Sequence, residues 1–273
     1  MDHLPPDFPV WLAGLLGAWL VLGIGVYYYV IRMVLRDGGK VSSLEFKEPD
    51  VWVCCGFILW FLVDIAGGFG APDHDVTQSE ILHGAALITA IVGLLLLFMQ
   101  YRGLPPLRQF GVLRRNPFLC AAIALGLVVA AHPLVLLTGQ LTAVAMHGKA
   151  QPQNVVEFFM NASEKSDTKA ICVMLLLAGV VAPAAEETIF RGYIYAVLKR
   201  NIGALGAALL SAALFGAMHM NLAALPALFV LALCLTLAYE ATGSLLVNIF
   251  MHAFFNLSML LAMLAIARHS PAP

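Results

Sequence analysis

Apolar residues recur along this chain in blocks of about twenty, separated by short polar connections. A helix crossing the ~30 Å hydrocarbon core of a bilayer needs about 20 mostly apolar residues at 1.5 Å each. Eight stretches meet that length, at roughly 9–32, 50–69, 79–100, 117–139, 170–198, 202–220, 223–240 and 244–267. The expected fold class is therefore all-α, a polytopic membrane helix bundle of about eight transmembrane helices. The first run, Pro9 to Leu35, has no basic residue before Arg32 and is too long for the core of a signal peptide, so it reads as a retained span. The longest polar connection, Gln140 to Lys169, holds an apolar patch (Val155, Val156, Phe158, Phe159) expected to lie along the interface. No internal repeat or separate soluble domain interrupts the pattern.

Composition agrees with the blocks. Of 273 residues 61% are hydrophobic and 11% charged, whereas a soluble domain carries roughly 25% charged residues because its surface faces water. The formal net charge of −1 supplies no basic field for nucleic acid, which is excluded as a partner. Cysteines 54, 55, 120, 172 and 234 all sit in apolar runs without metal-ligand spacing, and read as small buried hydrophobes.

Basic residues give an orientation. Arg32, Arg36, Lys40 and Lys47 follow the first span, Arg102, Arg108, Arg114 and Arg115 the third, and Lys199 and Arg200 the fifth. The other side receives Lys149, Lys165, Lys169 and Arg268 beside Asp2, Asp7, Asp73 and Asp75. This asymmetry predicts both termini outside the cytoplasm.

Ionisable groups inside spans are costly and are functional candidates by default. Asp64, His132, Glu186, Glu187, Arg191, His219 and His252 form that set. Asp64 lies near a helix end beside Gly67 and Gly68, where water reaches it. His132 precedes Pro133, whose kink frees a carbonyl for His132 to satisfy. Glu80 and Glu240 fall at expected helix ends.

The remaining groups cluster in three spans. In the fifth, Glu186 and Glu187 precede Arg191. Glu187 and Arg191 are four apart and share a helix face, so they pair. Glu186 lies about 100° around the helix and stays free for chemistry. The sixth span carries Phe215 and His219, the eighth His252 and Asn256, again four apart. A carboxylate, two imidazoles and a carboxamide are the groups that activate water and stabilise an oxyanion.

The pattern Glu-Glu-x-x-x-Arg, Phe-x-x-x-His and His-x-x-x-Asn on successive spans resembles the CPBP family, the type II CAAX prenyl endopeptidases and their bacterial Abi relatives. All three motifs occur in order between Glu186 and Asn256. The resemblance divides the chain into N-terminal spans, 1–165, without a recognised motif, and a catalytic core, 166–273. It implies an intramembrane endopeptidase of the bacterial cytoplasmic membrane, acting on a membrane-associated or lipid-anchored peptide or protein. Glu186 would be the base. His219, His252 and Asn256 would orient water and stabilise the tetrahedral intermediate, with Glu187, Arg191 and Phe215 in support. Members are often labelled metalloproteases. Glu186, His219 and His252 could supply three zinc ligands, yet no HExxH motif is present, and the reading leans towards water activation without a metal. Two other classes compete: a catalytically silent scaffold or immunity-type partner, and a transporter relaying ions. Counted from Ile202 and Ser244 at 1.5 Å per residue, His219 lies about 26 Å and His252 about 12 Å from the same side. A shared site thus requires the sixth or eighth helix to be tilted, shifted or shorter.

Overall fold

The computed structural model describes residues 9–68, 76–147 and 153–269, and among these the chain is helical with no strand. Asp2, Asp7, Asp73, Asp75 and Lys149, counted above for orientation, lie outside the described residues. The membrane-length helices are α1 (Val10–Asp37), α2 (Glu48–Gly68), α3 (Gln78–Tyr101) and α4 (Pro117–Ala145). The expected interfacial patch forms α5 (Asn154–Glu164) and packs Phe159 and Ala162 inward. Then come α6 (Thr168–Ala217), α7 (Leu225–Thr242) and α8 (Leu245–His269).

Among the described residues seven helical stretches are long and apolar enough to cross a membrane, the expected fifth and sixth spans falling together in the 50 residues Thr168–Ala217. That run breaks at Gly203, whose φ of 79° and ψ of 166° suit a residue without Cβ. The chain reverses there. Phe215 returns to meet Phe190 (ring centroids 5.3 Å apart) and Arg191 (4.4 Å from guanidinium to ring). The second arm, 204–217, rises only about 21 Å and α7 about 27 Å, so the turn joining them stays inside a ~30 Å core. Non-helical backbone at that depth persists only where protein or a water-filled cavity receives it. The arms approach closely because Ala207, Ser211, Ala212 and Gly216 face inward while Leu205, Leu209 and Leu210 face out.

This hairpin resolves the depth mismatch. Gly203 lies four residues beyond Lys199, and the Lys199 ammonium sits 2.6 Å from Glu240 near the α7–α8 turn. The second arm therefore starts about 6 Å outside the level where α8 begins. It also ends at Ala217, leaving His219 on the turn. Counting from Ile202 overstated the depth of His219.

Three basic loops meet at the end of the bundle opposite that turn. Lys199 Nζ donates to the Val41 carbonyl (3.0 Å), Arg114 Nη1 to Lys40 (3.3 Å), and Arg102 Nη2 to the buried Asp50 carboxylate (2.9 Å). Glu240 is near a helix end as expected, but it is buried rather than solvated. Its Oε1 accepts from Tyr195 Oη (2.5 Å) as well as from Lys199. Gly39 leaves room for this carboxyl, since any Cβ there would overlap it. Glu80 caps α3 in a reciprocal box with Thr77.

Pro133 does free a carbonyl, but His132 does not take it. The orphan is Val129, four residues earlier, and Trp19 Nε1 donates to it at 2.9 Å. His132 instead bonds Val128 O and Ser258 Oγ, both at 2.7 Å. Cys55 and Cys172 are exposed, against expectation, because their helix faces point away from the core; all five cysteines are unpaired.

Removing one partner of a buried pair strands the other. Glu240→Ala is expected to cost about 3 kcal/mol of unfolding free energy in detergent micelles, and Glu240→Gln clearly less, since the amide still accepts from Tyr195.

Candidate active site

The first arm of α6 is not a uniform helix. Wide i→i+5 turns occupy Leu177–Val181 and Thr188–Tyr195, on either side of the regular turn Ala182–Glu187. Pro183 supplies one local cause. It has no N–H for the Gly179 carbonyl, and its ring would crowd that group in an ordinary turn. Such insertions are frequent at functional sites because they re-aim the side chains that follow.

Glu187 is fully buried and anchors three groups. Its Oε1 accepts from Arg191 Nη1 (2.7 Å) and His252 Nδ1 (2.9 Å), and its Oε2 from Asn248 Nδ2 (3.2 Å). Arg191 reaches the Ala232 carbonyl through Nη2 (3.3 Å) and lies over the Phe215 ring. Asn248 also holds the Leu235 carbonyl (2.8 Å). One carboxylate thereby ties α6 to α8, and through its donors to α7. A buried pair of this kind rarely adds net stability over apolar packing, but it fixes geometry where every lone pair is engaged.

Glu186 points the other way. Its Oε2 is shielded from the surface, has no hydrogen-bond partner, and lies 3.8 Å from His252 Nε2. Since His252 Nδ1 faces an oxygen that only accepts, Nδ1 carries the proton and Nε2 is presented to Glu186. His219 is set in the same sense: its Nδ1 donates to the Phe215 carbonyl (2.9 Å), leaving Nε2 free. The Phe215 ring stands between the two imidazoles, 5.1 Å from His219 and 5.8 Å from His252.

Glu186 and His219 line a cavity of about 680 Å³, with Phe61, Ile88, Phe190 and Met218 among its apolar walls. The turn carrying His219 is held open by Met220, whose φ of 48° is uncommon for a side-chain-bearing residue. The Met220 sulfur packs on bare Gly68, where a Cβ would overlap it.

The structure thus gathers Glu186, Glu187, Arg191, Phe215, His219 and His252. Asn256 is engaged elsewhere: its Nδ2 donates to the Ala178 carbonyl at 3.1 Å, in the first wide turn. Glu186, His219 and His252 do not make a ligand set in this geometry. Among the described residues no three His, Cys, Asp or Glu side chains are grouped to hold a metal ion.

Asn248 was missed in the sequence. The signal was present, because it sits four residues before His252, as Asn256 sits four after.

Helices at bilayer length around a buried carboxylate–imidazole cluster define a polytopic membrane protein with an intramembrane polar site. Residues 168–258, about a third of the chain, match the family profile described as "Type II CAAX prenyl endopeptidase Rce1-like", a similarity that supports the CPBP, or CAAX protease, resemblance. The match runs from the start of α6 past Asn256 and so contains all three motifs. No curated protein and no solved structure matches the chain. The match supports a protein of the CAAX-type intramembrane protease kind.

Asn248→Ala would leave Glu187 Oε2 without its donor in the interior and remove the second hydrogen bond that the Leu235 carbonyl accepts. The expected loss is about 2 kcal/mol in thermal or chemical unfolding, and Asn248→Asp should be at least as damaging because it sets a second acceptor against Glu187.

Proposed function

We propose that the chain hydrolyses a peptide bond of a membrane-associated or lipid-anchored substrate, with water activated by Glu186 and the histidines beside it. The observation that carries this reading is the unpartnered Glu186 Oε2, shielded from the surface at the wall of a cavity and facing His252 Nε2. A polar group left unsatisfied in the interior is destabilising unless something else uses it.

Water bonded to Glu186 loses a proton to the carboxylate as its oxygen attacks the substrate carbonyl. The carbonyl π pair moves to oxygen, and the resulting oxyanion needs a donor. In the neutral tautomer set by Phe215, His219 Nε2 only accepts. His219 therefore serves the oxyanion as imidazolium, with Nε2–H directed into the cavity. Collapse of the intermediate breaks the C–N bond, and the proton held by Glu186 passes to the leaving amine. His252, fixed by Glu187 at Nδ1, keeps its Nε2 turned towards the Glu186 carboxyl. Asn256 acts through the backbone it holds at Ala178. Every step uses groups of this chain, and none is routed through a metal.

Wild type and Glu186→Gln, expressed in a host lacking the native gene, should differ in the new N-termini across the membrane proteome. Termini present only with the wild type are the expected result and identify the substrate. Identical termini, with both proteins folded and inserted, would favour a silent scaffold. With purified protein, millimolar chelator should leave cleavage of that substrate unchanged. Loss of cleavage restored by added zinc would replace this mechanism.

A further inference from the structure

The cavity has a floor and a mouth at opposite ends of the bundle. Its mouth is formed by Gly68 at the end of α2, Val76 before α3, Gln153 and Asn154 at the start of α5, and Asn221 on the turn after α6. All lie away from the basic loops. Towards the basic end the path is closed: Glu187, Arg191, Tyr193, Tyr195, Tyr239 and Asn248 are each at most 1% exposed. From Glu186 to Lys199, where those loops meet, is about 20 Å along α6. The basic loops, joined to one another through Lys199, Val41, Lys40 and Arg114, form one surface. Short loops rich in Lys and Arg stay on the cytoplasmic side.

We infer that the site admits its substrate from the non-cytoplasmic face, and that the substrate is a polypeptide segment already carried across the membrane. This rests on the proteolytic reading for the word substrate, but the direction of access stands on geometry and charge alone. The reaction then follows export: a translocation step must supply the segment, and soluble cytoplasmic proteins are excluded from cleavage. The amides of Gln153 and Asn154 at the mouth suit the backbone of an extended chain entering the cavity.

Thiol accessibility tests this without any proteolytic assay, so its failure is separate from failure of the proposed activity. Asn154→Cys at the mouth, Met218→Cys and Glu186→Cys in the cavity, and Arg108→Cys in a basic loop would each be treated with a charged, membrane-impermeant maleimide. The native chain is the control, and labelling after SDS denaturation reports the amount of each protein. In spheroplasts the mouth and cavity thiols should react and Arg108→Cys should not; in inverted vesicles the pattern should reverse. Reaction of Met218→Cys or Glu186→Cys only in inverted vesicles, or of Arg108→Cys in spheroplasts, overturns the inference. Asn154→Cys and Met218→Cys keep the test decisive if Glu186→Cys does not fold.

Discussion

The buried Glu187 carboxylate is the constraint around which the C-terminal helices are arranged. It holds Arg191 on its own helix and His252 and Asn248 on α8. A charge removed from water in this way is tolerated only with all its partners in place. Side chains that would otherwise sample several rotamers are therefore fixed in one arrangement. The histidine tautomer follows from that arrangement, and so does the direction of its second nitrogen. Glu186, one residue earlier, is left facing a cavity with an oxygen that nothing in the protein satisfies. Adjacent residues of the same type thus have opposite surroundings.

The hairpin at Gly203 does the complementary work. A sixth helix of full length would carry His219 past the bilayer core, out of reach of α8. The short arm returns Phe215 to the level of Arg191 and ends two residues before His219. The cavity receives the turn that results, so the requirement for solvated backbone at membrane depth and the requirement for a water site are met by the same space. The clamp of Glu240, Lys199 and Tyr195 at the other end sets the level from which both helices start.

Much of this was legible in the chain. Block length gave the helices, and the spacing of Glu187 and Arg191 gave their pairing. The separation of the two glutamates by a helical step gave their divergence. What stayed hidden depended on tertiary neighbours. Glu240 and Asp50 lie near helix ends in a pattern that also suits solvated residues, and only the packing of loops over them shows burial. The carbonyl freed by Pro133 was predictable, but its donor, Trp19, comes from a distant helix. Asn256 shares a face with His252, yet the wide turn at Ala178 offers it a carbonyl that no periodicity reveals.

The central claim is a division of labour, with Glu187 structural and Glu186 chemical. Unfolding free energies of Glu186→Gln and Glu187→Gln, compared with the wild type in the same micelles, test it most directly. The account predicts a loss of about 3 kcal/mol for Glu187→Gln, which strands the Arg191 guanidinium in the interior. It predicts unchanged or slightly raised stability for Glu186→Gln, which removes an unpartnered buried oxygen's charge. Equal losses, or the larger loss at Glu186, would contradict it.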